Sequence, residues 1–410
     1  MPGYLRARVV VALAASLLFL CFWAFAMPHA PAPRFEPPRA QSSAPSEPSF
    51  ATRFASAGET PEVHASTAYA PAATGVTAFW YGGTREGAAD VAIYRARLIE
   101  GGWSKPHRLL DRRQLADALN RHVRKVGNAT VYRHPDGRLW MFVVTVSVGG
   151  WAGSSITLVE STDNGATWSR ARRLVTSPFF NLSTLVRGSA FRYADGSIGL
   201  PVYHEFIGKF AELLRIDVDG RILDRTRLTA GRHALQPEVA ILDEQQAVAL
   251  LRYAGEAPRR VLHSATIDGG RTWSAPDKIK VPNPDSAVDL LPLDRGRLLA
   301  VFNDLDDHRF RLTLAVSEDT GRHWQSVQVL EDRPEGDSSH HEYSYPWLLR
   351  AEDGDFHLLY TWNRRRIKHV QFNRSWLDRR IAGLAGRART APHPGQVSLE
   401  ASGVPMKGTP

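Results

Sequence analysis

A short pattern recurs along the chain and limits what it can become. Ser161-Thr162-Asp163-Asn164-Gly165-Ala166-Thr167-Trp168 has the form S-x-D-x-G-x-T-W. Each fixed residue has a job in a tight hairpin. Asp accepts hydrogen bonds from backbone N–H groups of the turn, Gly supplies the φ > 0 position, and Trp anchors the turn on the body beneath it. Thr266-Ile267-Asp268-Gly269-Gly270-Arg271-Thr272-Trp273 repeats the pattern with Thr opening, and Ser317-Glu318-Asp319-Thr320-Gly321-Arg322-His323-Trp324 repeats it with His for the penultimate Thr. Trp168 and Trp273 lie 105 residues apart, about twice the 51 that separate Trp273 from Trp324. A degenerate copy is therefore expected midway, and Arg215-Ile216-Asp217-Val218-Asp219-Gly220 fills the place.

Between these hairpins, apolar strands meet at short glycine turns such as Asp136-Gly137, Asp195-Gly196 and Asp353-Gly354. Units of about 50 residues with four strands each are the signature of a β-propeller. At 410 residues and 43% hydrophobic composition, the chain can bury one large core. The fold class is therefore all-β, a six-bladed β-propeller over residues 50–377, with the last blade beginning near Tyr345 and closed by strand material from the N-terminal side. Two segments depart from the repeat. Leu115, Leu119 and Val123 fall at helical spacing, which predicts an amphipathic helix from Asp111 to Val126 between blades one and two. The stretch 378–410, rich in Ala, Gly, Arg and Pro, reads as a disordered tail.

Ahead of the repeat, Arg6 and Arg8 precede an apolar run from Val9 to Met27. Its length suits a membrane span with the positive flank in the cytoplasm, while Ala24-Phe25-Ala26 is similar to a signal-peptidase site, so residues 1–27 are read as a signal anchor or a cleaved signal peptide. The propeller would then be extracytoplasmic, held at the membrane or secreted. Residues 28–49, rich in Pro, Ala and Ser, read as a stiff linker without structure. The single cysteine, Cys21, lies in the apolar run, which leaves the body no disulfide and no cysteine-ligated metal. No cofactor is expected.

A formal charge of +9 suits an anionic partner. Nucleic acid is the first such partner to consider, but the basic residues are spread along the sequence rather than clustered. An acidic glycan or an anionic membrane surface fits as well, and no nucleic-acid partner is expected. In an up-and-down blade, the Gly turns and the Asp-rich hairpins share one end. The other end receives the starts of the inner strands and the loops leaving the second strands. The starts supply His64, Arg187, Gln236, Glu238, Asp285 and Glu342 with Tyr343; the loops supply Arg85, Glu86, Asp90, His204, Glu205, Arg252, Arg309 and Arg364. Arginines beside carboxylates at one mouth are what an anionic ligand needs, with guanidinium forks for its carboxylate.

The Asp-rich hairpins, Phe79-Trp80-Tyr81-Gly82-Gly83-Thr84-Arg85-Glu86-Gly87, Asn283-Pro284-Asp285-Ser286 and Glu342-Tyr343-Ser344-Tyr345-Pro346 together resemble the bacterial sialidase-like BNR/Asp-box proteins over roughly His64 to Phe372. The resemblance implies an arginine trio for a substrate carboxylate, a tyrosine nucleophile with a glutamate base, and an aspartate acid/base. On this pattern Arg252 is similar to the second arginine and Arg309 to the third. Tyr343 resembles the nucleophile, Asp90 the acid/base and Arg85 an extra arginine upstream. Two positions depart: His64 stands where the first arginine should open blade one, and Gln236 stands where the glutamate partner should open blade four. Glu238 lies two residues on, hence on the same strand face, and Glu342 is a second candidate base. The catalytic set implied is thus Asp90, Tyr343 and Glu238, with His64, Arg85, Glu86, Arg187, Gln236, Arg252, Arg309 and Glu342 around the substrate. A sialidase-like hydrolase for an acidic sugar is the leading expectation. A hydrolase or lyase for another acidic polysaccharide, and a non-catalytic glycan-binding propeller, stand beside it.

Overall fold

The computed structural model describes residues 11–18, 32–38, 46–71, 75–177, 181–294 and 296–390. Six antiparallel sheets follow one another around a central channel. The strands nearest the channel include Glu62–Tyr69, Lys125–Arg133, Ala234–Ile241, Asp289–Asp294 and Tyr343–Arg350. The first and last of these pack against each other, which closes the ring. Strand pairing closes the ring as well: Phe50–Phe54 pairs with Arg366–Phe372 as the outermost strand of the last blade, with Phe50 opposite Phe372 and Phe54 opposite Lys368. Between the sheets, Trp80, Trp140, Phe142, Phe356 and Tyr360 are fully buried. Burial of side chains this large is the main stabilising term for such a body.

The Asp-rich hairpins do what their residues dictate. Asp163 accepts from the Ser161 hydroxyl (2.8 Å), the Thr167 amide (2.9 Å) and the Thr167 hydroxyl (2.6 Å). Gly165 takes φ 76°, and its N–H donates to Ser161 Oγ at 2.9 Å. In the third copy His323 substitutes for Thr by donating its amide to Asp319 (2.9 Å) and setting its ring Nδ1 against the same carboxylate (2.6 Å). The degenerate copy is present too: Asp217 accepts from the amides of Asp219 and Arg221 at 3.0 and 2.7 Å. Tyr69, at the far end of the first inner strand, donates its hydroxyl to Asn164 O at 2.8 Å. The hairpins therefore lie at the ends of the inner strands, opposite the ends where Arg252 and its neighbours gather.

Three sequence expectations need correcting. The helix between blades one and two is shorter than 111–126: it spans Arg112–Leu119 and stops at Asn120, whose φ of 49° breaks it. Val123 is buried beyond it. The linker 28–49 is not without structure. Phe35 is fully buried against Phe191 and Tyr193, its N–H donates to Glu244 O (2.8 Å), and Glu36 N–H donates to Arg192 O (2.9 Å). One aromatic side chain among prolines suffices, because it finds an apolar socket between blades three and four. The tail does not start as disorder at 378, since Arg374–Thr390 is a helix. Asn373 Oδ1 accepts the Trp376 amide at its start, Trp376 stacks on Phe50 at 4.7 Å, and Leu377 is fully buried. Residues 391–410 lie outside the described residues, as does most of the apolar run 9–27. Residues 11–18 of that run are helical, and among the described residues no helix is long and apolar enough to cross a membrane.

Candidate active site

Backbone strain marks one mouth of the channel. Ala65, Gln236, Asp285 and Tyr345 take φ values of 50°, 48°, 53° and 54°, conformations that residues with a Cβ rarely adopt. Ala65, Gln236 and Tyr345 sit at breaks in strand register, between His64 and Thr67, Leu235 and Glu238, and Ser344 and Trp347. Such bulges re-aim side chains and cluster at functional sites. Pro237 and Pro346 follow two of these residues; a proline cannot donate to the ladder, so it belongs where the ladder is interrupted.

The re-aimed side chains line a cavity of about 240 Å³. Tyr345 and Gln236 meet in it, with Gln236 Nε2 donating to the Tyr345 hydroxyl at 3.3 Å. Tyr203 and Asn128 stand beside them. Three guanidiniums share the cavity: Arg252 from the end of the strand Ala247–Tyr253, Arg309 from the loop after Arg297–Phe302, and Arg364 from the turn after Phe356–Trp362. Each is held from behind. Arg252 Nε donates to Asp285 Oδ1 (2.6 Å) and Nη1 to Gln236 Oε1 (3.1 Å). Arg309 donates to Glu342 Oε1 (3.4 Å) and to the Asp285 carbonyl. Arg364 donates to Glu342 Oε2 (2.9 Å) and Glu86 Oε2 (3.2 Å). Burial alone would raise the Glu342 carboxyl, but His64, which is charged only at such low pH, and the Arg364 guanidinium outweigh it and hold it down at about 2. Glu342 is therefore a permanent anion whose work is to orient two arginines.

Glu205 lines the same cavity in a different state. Burial raises its carboxyl above the ordinary range, and Asp285 and Glu86 push the same way against Arg252 and Lys209. Of the two acids in the cavity wall it is the one without an arginine partner, since Glu86 is paired with Arg364 at 3.2 Å.

Of the residues expected from sequence, Arg252, Arg309, Gln236 and Glu86 line the cavity, and Glu342 stands directly behind its arginines. His64 lies behind Tyr345, ring to ring at 4.3 Å, with Nδ1 3.1 Å from Thr361 Oγ1. Burial, with Arg364, lowers its pKa to about 3, so it adds no charge; Arg364, one of the loop arginines expected at this mouth, supplies the third guanidinium from another blade. The remaining five are elsewhere. The Tyr343 hydroxyl contacts His341 Nδ1 (3.2 Å) and the ring packs near Trp362, away from the cavity. Asp90 is exposed and accepts the amide and hydroxyl of Thr84 at 2.8 and 2.6 Å, the hydroxyl first among the causes that lower its pKa. Arg85 is exposed on the same loop. Glu238 lies fully buried below the cavity and accepts the Ser189 amide at 3.0 Å. Beside it, Arg187 stacks under Tyr345 (5.8 Å) and Trp347 (5.3 Å) and donates to the Pro346 carbonyl, while Asp289 accepts the Leu348 amide at 3.1 Å. These two residues grip the bulge that presents Tyr345.

The buried His64 has a consequence for stability. Above about pH 6.5 it is neutral whether the chain is folded or not; below that, the unfolded chain takes up a proton that the folded site refuses until about pH 3. Stability contributed by the neutral ring is therefore present above pH 6.5 and is lost progressively as the pH falls. His64→Asn should flatten the fall in thermal midpoint between those limits by its share. An unchanged pH profile would show that His64 is not buried neutral.

A larger cavity of about 760 Å³ opens at the other end of the channel. Arg297 and Arg374 in its wall both bear on Asp294, Arg133 reaches Glu352 outside it, and it lacks the strained positions of the first mouth.

The model of the BNR repeat-like domain matches residues 75–358. No curated protein matches the chain. Among solved structures, a Hadza microbial sialidase, Hz136, superposes with a TM-score of 0.61 at 17% identity, covering 77% of this chain and 66% of that one. The NanB sialidase of Streptococcus pneumoniae gives 0.60 at 10% identity (78% and 69%), and the Trypanosoma rangeli sialidase 0.60 at 15% (80% and 57%). A Dyadobacter fermentans protein of unknown function is also similar, 0.60 at 14% identity, and the match covers 78% of this chain and 97% of that one. The chain thus spans about two thirds of the sialidases' own lengths, and identities this low establish a shared fold.

Proposed function

The chain belongs to the BNR repeat-like family, and from that footing we propose that its mouth holds one terminal acidic sugar by the carboxylate and hydrolyses its glycosidic bond in the manner of a sialidase. One observation carries the reading: Arg252, Arg309 and Arg364 converge from three blades on the cavity that Tyr345 also lines. A cavity of about 240 Å³ admits a single sugar ring rather than a length of polymer. Three guanidiniums pre-oriented by Asp285, Glu342 and Glu86 suit a planar carboxylate. Tyr345 is the nucleophile in this proposal and Glu205 the acid that protonates the leaving oxygen.

A specific contact favours a second reading. Gln236 Nε2 donates to the Tyr345 hydroxyl, and an amide cannot take the phenol's proton. A glycan-binding propeller without turnover needs the arginines and no base. Calorimetry with a free sialic acid, its methyl ester and a uronic acid, run beside turnover of fluorogenic sialosides and uronides, separates the two. The hydrolase releases fluorophore; the binding protein discriminates acid from ester and releases none. Equal binding of acid and ester would defeat both. Arg252→Lys keeps a charge and loses the fork, so it should weaken the acid roughly ten- to a hundredfold and the ester little.

A further inference from the structure

Basic residues that are dispersed along the sequence meet on the rim of this mouth. Five segments from blades two to four are joined in series: Ser147 Oγ donates to His122 O (2.7 Å) and Arg124 Nη1 to Gly149 O (3.3 Å). Ser154 Oγ donates to Thr184 O (3.2 Å), Glu205 N–H to Ser183 Oγ (2.7 Å), and Lys209 N–H to Arg232 O (3.1 Å). The segments 121–125, 147–154, 181–184, 205–209 and 231–233 contain Arg121, Arg124, Lys125, Lys209 and Arg232 and a single carboxylate, Glu205, which faces the cavity. Large apolar side chains stand exposed at their tips: Val148 is 77% exposed, Ile207 74%, Phe206 61% and Leu182 39%.

Exposed apolar tips ringed by cations are costly in water and match the boundary of a lipid bilayer, where the tips enter the acyl region and the cations meet anionic headgroups. A soluble polyanion would use the cations and leave the tips a liability. We propose that this rim docks the protein, mouth first, on an anionic lipid surface. Docking does not depend on which sugar the cavity takes. If the carboxylate reading holds as well, the substrate class is acidic sugar borne on lipid.

The test uses the full chain in a Cys21→Ser background, so that one environment-sensitive fluorophore can be attached at Ile207→Cys or, as a control, at Ile267→Cys. Ile267 is 76% exposed but sits in an Asp-rich hairpin at the opposite end. Vesicles of phosphatidylcholine with phosphatidylserine should blue-shift the label at 207 and not at 267, whatever residues 9–27 do, and phosphatidylcholine alone should give little shift. Arg124→Glu with Lys209→Glu should lower the vesicle partition coefficient about tenfold or more. No shift at 207, an equal shift at 267, or a shift at 207 caused by heparin but not by vesicles would overturn the proposal. Because the vesicles carry no sugar, the result is read separately from the sialoside and uronide assays.

Discussion

Tyr345→Phe is expected to abolish turnover of the acidic glycoside, lowering kcat by at least about a thousandfold, while the affinity for the free sugar acid stays within about twofold. The change removes the Tyr345 hydroxyl from the cavity that Arg252, Arg309 and Arg364 line and leaves the ring packed against His64 and Arg187. Tyr343→Phe is the informative partner. Its hydroxyl touches His341 and not the cavity, so this variant should turn over normally and lose about 1 kcal/mol of stability for the hydrogen bond. Steady-state kinetics with titration of the free acid decides between them. If Tyr343→Phe is dead and Tyr345→Phe active, the bulge does not present Tyr345 in solution, and the placement of the nucleophile is wrong.

Phe35→Ala is expected to cost about 3 to 5 kcal/mol, the range for deleting a fully buried phenylalanine. Phe35 lies in a stretch that looks like a spacer, yet its ring is 5.1 Å from Tyr193 and 5.6 Å from Phe191, and the chain on either side bonds to blades three and four. Its deletion removes an apolar side chain from the seam between two sheets. Arg34→Ala, which breaks only an exposed pair with Glu244, should change stability by less than about 0.5 kcal/mol. Urea unfolding of the full chain measures both. A Phe35→Ala midpoint equal to that of the parent would mean that the segment does not dock.

The likeness to sialidases at 17% identity or less establishes the ring of blades and not the reaction. Gln236 at the Tyr345 hydroxyl and neutral His64, where the sialidase pattern has an arginine, are departures at the points where a reaction would be decided. Arg364 offsets the second: it arrives from the last blade and is anchored by Glu342 and Glu86. For the first, no carboxylate is in contact with the Tyr345 hydroxyl among the described residues.

The ring of six blades, the outer hairpins and the end at which the arginines gather were all legible in the order of residues. Turn chemistry and the two-residue alternation of strands act over a few neighbours, so a pattern such as S-x-D-x-G-x-T-W carries its own conformation wherever it occurs. Alternation also put Gln236 and Glu238 on one strand face, and there it misled, as the resemblance did in choosing Tyr343 over Tyr345. One residue at φ near 50° breaks the alternation in each strand, sending Tyr345 and Gln236 into the cavity while Tyr343 turns towards His341 and Glu238 stays beneath. Pro346 and Pro237 hinted at the breaks, but a proline marks an interrupted ladder without saying which neighbour is re-aimed. That choice belongs to contacts made across the channel, Arg187 on the Pro346 carbonyl and Asp289 on the Leu348 amide, between residues that are 159 and 59 positions apart. The same holds for Arg364 reaching Glu86 over 278 positions, and for Phe35 finding its socket: each depends on a surface that exists only after the ring has closed.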